Sequence, residues 1–198
     1  MTGVACEVIR SQPVSQKIRG MTAGVAAGSD LSCNFHLLLR IDGIDAQPYI
    51  ADVGFGGLTL TAPIRLITDL EQTTPHETFR LTGIYGNFVL QAQVRDTWKS
   101  LYSFDLQPQI LPDYEVSSWH LANHPESPFV NNLMAARVTP DRRYGLSNNR
   151  LSIHHLQGDS EQTALSSPVE MKQALESTFG IQLPDVADID SELARLIR

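Results

Sequence analysis

His36 and Asp52 are the two residues of this chain whose types and spacing best suit chemistry. They lie on neighbouring apolar runs, "FHLLLRI" (35–41) and "QPYIADV" (47–53), joined by "DGIDA". An Asp-Gly turn between two such runs predicts a hairpin, so the two side chains are expected to meet across the sheet. A carboxylate bonded to an imidazole fixes its tautomer and stabilises the imidazolium, which supplies two of the three parts of a nucleophile–base–orienter triad. A core histidine satisfied by a neighbouring carboxylate gives the same pattern. In "YIADVGFGG" (49–57) the carboxylate closes an apolar strand, a costly place for a charge unless donors surround it. The Gly-Phe-Gly-Gly run behind it predicts a sharp turn, or a backbone that something approaches closely.

A triad also needs a nucleophile. Cys33 is three residues from His36, and an odd separation on a strand places the two side chains on opposite faces. It reads as a small buried hydrophobe. Cys6, in "GVACEVI", has no tight glycine turn or helix N-terminus beside it to favour the thiolate. No G-x-S-x-G elbow is present. The other histidines predict no metal site. His120 and His124 are four apart, without an H-E-x-x-H motif or a cysteine cluster. His154 and His155 are adjacent, so on a strand they face opposite ways. The "GFGG" run lacks the Lys-Ser/Thr of a P-loop and the spacing of a dinucleotide fingerprint.

The elements that must position His36 and Asp52 come from a chain of 198 residues, enough for one domain or two small ones with a real core. A net charge of −7 argues against nucleic acid or an anionic membrane as the main partner. No apolar run reaches transmembrane length, and no signal-peptide pattern opens the chain. Two cysteines make no disulfide framework, so a reduced cytosolic setting is expected.

"CEVIRSQ" (6–12) suits a strand, and "GMTAGVAAGSD" (20–30) reads as loop. Beyond the first hairpin, "TFRLTGIYGNFVLQAQV" (78–94) gives two strands around "GIYGN", and "TWKSLYSFDL" (97–106) another after a turn at Arg95-Asp96. Short strands at close spacing predict a small antiparallel barrel or sandwich. After "QPQILPDYE" the pattern changes. "EVSSWHLANHPESPFVNNLMAARV" (115–138) mixes a helical stretch with Pro-rich loop, and "RLSIHHLQ" (150–157) is a strand. "SSPVEMKQALESTFG" (166–180) is a helix with Ser167 as its cap, Pro168 in first position, Glu170 completing a capping box and Gly180 ending it. "DSELARLIR" (190–198) is a second, short amphipathic helix. The fold class expected is α+β, with a β domain over about 1–135 and a smaller α/β segment over 136–198.

The runs "HLLLRIDG…YIADVGFGG…APIRL", "YSFDLQPQ", "HPESPFVNNLMAAR" and "LSNNRLSIHHL", in this order, resemble the arylamine N-acetyltransferase family over about residues 30–198. The resemblance implies a papain-like or transglutaminase-like fold in which a β-barrel carries the histidine and aspartate and an α/β lid closes over the site. It implies acetyl-CoA as acyl donor, an aromatic amine or hydrazine as acceptor, and a ping-pong cycle through a cysteine thioester. By position, His36 matches the general base, Asp52 its orienting carboxylate, and Phe55 the aromatic of the acceptor pocket, with Gly56 in the backbone that the substrates pass. Phe129 and one of His154 or His155 fall on the pocket wall and coenzyme surface.

Phe35 stands where the family usually has Thr or Ser to contact the coenzyme. The family's R-G-G-x-C-x-E motif does not occur in the sequence, and by family layout it is expected upstream of residue 1, in a helical N-terminal domain. On that layout "GVACEVIRSQ" becomes the first strand of the barrel. The rival readings are a thiol hydrolase of transglutaminase type, and a β-barrel binding module or pseudoenzyme that keeps the pocket without the chemistry.

Overall fold

The computed structural model describes residues 18–25, 34–52, 54–84, 86–156 and 158–197. Its larger sheet is antiparallel. Strands β1 (Ile18–Val25), β2 (Asn34–Ile41), β3 (Tyr49–Asp52), β4 (Ile64–Arg65), β5 (Gln72–Thr73), β6 (Thr78–Ile84), β7 (Asn87–Val94) and β8 (Thr97–Phe104) lie in the order β4-β3-β2-β1-β8-β7-β6-β5. The hairpins β2–β3, β6–β7 and β7–β8 form where the apolar runs and turn residues predict them. Gly86 takes a positive φ of 83° in the β6–β7 turn, a conformation open to glycine at little steric cost. Inward side chains from these strands, among them Leu38, Ile50, Phe79, Leu81, Leu90 and Tyr102, are fully buried and make one core.

One expectation for this half changes. Residues 20–25, read as loop, belong to β1, which pairs with β2 along Ile18–Gly24 and with β8 along Ala23–Val25. Pairing on both sides overrides the weak strand propensity of its glycines and alanines. The stretches holding Cys6 and Cys33, and the strand proposed for "CEVIRSQ", lie outside the described residues. The end strands β4 and β5 are joined by a side chain. The Gln72 amide accepts from the Arg65 backbone N–H (2.7 Å) and donates to the Arg65 carbonyl (2.9 Å), as a paired strand would.

Helix α1 (Leu111–Asn123) begins earlier than the sequence pattern implies, with Asp113 accepting from the Ile110 N–H, and is followed by the short α2 (Pro128–Asn131). The remainder holds more strand than the single one expected. Strands β9 (Met134–Thr139), β10 (Arg142–Ser147), β11 (Arg150–His155) and β12 (Ser160–Ala164) form a second antiparallel sheet, ordered β12-β11-β10-β9. One face packs on α3 (Pro168–Gln173), a π-helical turn (Ala174–Thr178) and α4 (Ile189–Arg195), burying Leu146, Leu165, Met171, Leu175 and Leu193. Ser167 caps α3 by accepting from the Glu170 N–H (3.3 Å). The Glu170 carboxylate, however, takes the N–H of Ser166 (2.7 Å) rather than closing a box on Ser167. Gly180, at φ 71°, ends the segment as expected.

Polar contacts tie the two sheets together. The Arg143 guanidinium, 1% exposed, pairs with Glu77 and donates to the Thr59 carbonyl (3.1 Å). One nitrogen of His76 lies 2.7 Å from the Thr139 carbonyl. A buried ion pair costs about 3–5 kcal/mol when one partner is removed, whereas replacing both partners by neutral side chains of similar volume is often close to neutral. Arg143→Met alone is therefore expected to cost about 3–5 kcal/mol in urea unfolding, and Glu77→Gln/Arg143→Met about 1 kcal/mol or less. Equal losses in the single and paired variants would contradict a buried ion pair at this position.

Candidate active site

His36 and Asp52 meet on one face of the β2–β3 hairpin. Leu38 is the register partner of Asp52, so His36, two residues earlier on the same face, is its diagonal neighbour. The His36 Nε2–H donates to Asp52 Oδ1 at 2.8 Å. This is the juxtaposition that the residue spacing predicts.

Asp52 is buried at the floor of the sheet and surrounded by donors. Oδ1 also accepts from the backbone N–H groups of Gly54 (3.0 Å) and Phe55 (3.2 Å) and from the Thr59 hydroxyl (3.3 Å), while Oδ2 accepts from the Tyr102 hydroxyl (2.7 Å). Burial works to raise the carboxyl's pKa, but the bonds from His36, Gly54 and Tyr102 and the attraction of His36 outweigh it. The net pKa lies below the ordinary carboxylate value. Asp52 is thus held ionised, an acceptor only. The Tyr102 hydroxyl moves the other way, its pKa raised by burial and then by the charge of Asp52, so it stays a protonated donor. Tyr102 escapes a reading of the sequence because it sits on β8, and only the insertion of β1 between β2 and β8 brings it near Asp52.

Phe55 joins this cluster to a cavity. Its ring lies 5.5 Å from that of His36, edge-on, and 4.8 Å from that of Tyr102. It also lines a cavity of about 850 Å³ between the loop over residues 54–59 and the second sheet, within the range of small-molecule sites. Gly54, Gly56, Gly57 and Thr59 form one wall with Phe55, and Phe129, on α2, also lines it. The second sheet supplies Met134 to Val138, Ser147, Arg150, Ser152, His154 and Gln162. Gly56 sits at φ 100°, which favours glycine, and a Cβ added there would meet nothing within 4 Å, so the cavity side is open to an approaching molecule.

The adjacent histidines separate as an alternating strand requires. His154 lines the cavity, with Nδ1 2.8 Å from the Ser160 hydroxyl, whereas His155 bonds Glu161 (2.8 Å) on the opposite face. His120 and His124 stack with ring centroids 4.3 Å apart. Among the described residues, no three His, Cys, Asp or Glu side chains are grouped to hold a metal ion.

An imidazole held by an ionised aspartate, beside a cavity of substrate size, is an arrangement able to act as base and orienter for a nucleophile. The profile of the N-acetyltransferase family matches residues 17–188. An arylamine N-acetyltransferase of Mycobacterium tuberculosis is 42% identical over 154 residues, covering 74% of this chain and 54% of that protein. The Escherichia coli enzyme is 38% identical over 151 residues, 76% of this chain and 53% of its own length. The chain thus spans about half the length of the curated relatives it matches.

Among solved structures, the Mycobacterium smegmatis arylamine N-acetyltransferase superposes with a TM-score of 0.85 at 37% identity, covering 92% of this chain and 69% of that one. The Mycobacterium marinum enzyme in complex with CoA gives 0.81 at 36%, covering 92% and 68%. This chain belongs to the arylamine N-acetyltransferase family.

A carboxyl whose pKa is lowered by folding adds stability that is fully present above its unfolded value and is lost as pH falls through the folded one. The stability advantage of the natural chain over Asp52→Asn is expected to hold steady from about pH 7 to about pH 5 and to shrink below about pH 4. Urea midpoints measured across this range check it. An advantage that grows on acidification would contradict an ionised, bonded Asp52.

Proposed function

We propose that this chain carries the base, the orienting carboxylate and the substrate walls of an arylamine N-acetyltransferase, which moves an acetyl group from acetyl-CoA to an arylamine or hydrazine by a ping-pong Cys-His-Asp mechanism. The observation that carries the reading is the 2.8 Å bond from His36 Nε2–H to an ionised Asp52 beside a cavity lined by Phe55. With Nε2 occupied, Nδ1 is the ring nitrogen left to take a proton from the nucleophile. The thiol comes from a cysteine outside the described residues. His36 accepts its proton, the thiolate attacks the thioester carbonyl, and the CoA sulfur leaves with the proton returned by His36. An amine nitrogen then attacks the acetyl-cysteine, and its proton passes through His36 back to the thiol.

The Gly54 and Phe55 amides are engaged by Asp52, so the donors that stabilise the tetrahedral oxyanion come from other backbone. Phe55, Gly56 and Phe129 are assigned to the acceptor pocket. His154 is assigned, rather than His155, to the coenzyme surface, where Arg150 adds positive charge suited to phosphates. The residues to about 135 are read as the β-barrel and those from about 136 as the α/β lid of a papain-like or transglutaminase-like fold. The bonds from Gln72 to Arg65 support a sheet closed on itself. A cytoplasmic enzyme without a metal requirement fits this chemistry.

Residues 1–198 alone are expected to transfer no acetyl group, because neither Cys6 nor Cys33 suits the nucleophile's place. Fused behind a segment bearing the R-G-G-x-C-x-E motif, the chain should gain one acetyl group from acetyl-CoA, seen by mass spectrometry, and pass it to an arylamine. His36→Ala should slow this acylation by about 10²–10⁴-fold, the range that general-base catalysis supplies. A folded fusion that binds acetyl-CoA without being acylated would overturn the reading. So would transfer by residues 1–198 that Cys6→Ser abolishes.

A further inference from the structure

The geometry points to Arg143 as a positioning residue for the His36–Asp52 pair, acting from the second sheet through Thr59. The proposal rests on the reading of that pair as catalytic. It starts from an oddity in the contact between the sheets. Among the described residues, Arg143 is one of the most deeply buried side chains, yet its Nη1 has no hydrogen-bond partner among them. An ion pair arranged for stability would satisfy every donor, since an unmet buried one carries a desolvation cost. The guanidinium instead directs Nε and Nη2 at Glu77 and Nη2 at the Thr59 carbonyl (3.1 Å).

Thr59 is where the larger sheet is gripped. Its backbone N–H donates to the Gly56 carbonyl (3.2 Å), closing the turn over residues 56–59. Its hydroxyl lies within reach of both Asp52 Oδ1 (3.3 Å) and the Asp52 carbonyl (3.4 Å). Asp52 fixes the near end of the loop through the Gly54 and Phe55 amides. Arg143 fixes the far end at Thr59. Glu77 matters because, by accepting from Nε and Nη2, it orients the guanidinium while Nη2 reaches the Thr59 carbonyl. Through this relay, the seating of the second sheet across the cavity bears on how firmly Asp52 holds the imidazole.

The test uses isotope-labelled chain and reads the His36 ring proton on Nε2, assigned by its loss or displacement in Asp52→Asn. Glu77→Gln/Arg143→Met removes both charges together, so the fold is retained. In that variant the ring proton is expected to exchange with water severalfold faster than in the natural chain. Thr59→Val should give the same acceleration, and Thr59→Ser, which keeps the hydroxyl, should restore slow exchange. A merely structural role for Arg143 predicts a lower unfolding midpoint with unchanged ring-proton exchange, and that result overturns the proposal. Should the paired variant not fold, equal exchange in Thr59→Val and Thr59→Ser overturns it alone. Failure of the cysteine-bearing fusion to be acylated would remove the catalytic reading while leaving these exchange rates as they are, so the two failures are distinguishable.

Discussion

The site depends on one buried carboxylate and its need for donors. A carboxylate only accepts, and Asp52 gathers five donors: the imidazole of β2, two amides of its own loop and a threonine hydroxyl at Oδ1, and the phenol of β8 at Oδ2. The donors come from three pieces of chain, so satisfying Asp52 fixes the relative placement of the β2–β3 hairpin, β8 and the loop over residues 54–59. The Gly-Phe-Gly-Gly sequence follows Asp52 because the backbone must curl back at once for its N–H groups to reach the side chain, a local side-chain-to-backbone turn. The same curl presents Phe55 to both the imidazole and the cavity.

The energetic logic is that of preorganisation. Taking a carboxylate out of water is expensive, and the expense is recovered only while the donors stay in place. An imidazole bonded to such a group has little freedom to rotate or change tautomer, which is what a general base in acyl transfer needs. Tyr102 contributes from β8, where burial and the negative charge beside it keep its hydroxyl protonated and donating. The second sheet supplies the facing wall of the cavity and grips the first through Arg143 and His76.

Parts of this are legible in the sequence for a physical reason. The His36–Asp52 contact is local to one hairpin, and hairpins announce themselves through apolar runs and turn residues. Tyr102 is not legible, because its approach to Asp52 requires β1 to lie between β2 and β8, and β1 is too rich in Gly and Ala to read as a strand. Two strands of the second sheet, β9 and β12, escape the sequence pattern for another reason. β12 is exposed along its whole length and β9 over half of it, so neither shows the alternation of buried and exposed residues that marks a strand. Helix α3 is legible from its cap, but Glu170 bonds Ser166, a competition between neighbouring donors that the motif alone does not settle.

The central claim is that Asp52 fixes one tautomer of His36, with the proton on Nε2 and Nδ1 bare toward the reacting group. Long-range nitrogen–proton correlation of the His36 ring, recorded in its neutral form, measures this directly. The account predicts a protonated Nε2 and an unprotonated Nδ1, with that preference weakened in Asp52→Asn. A proton on Nδ1, or an even mixture of tautomers in the natural chain, would contradict it.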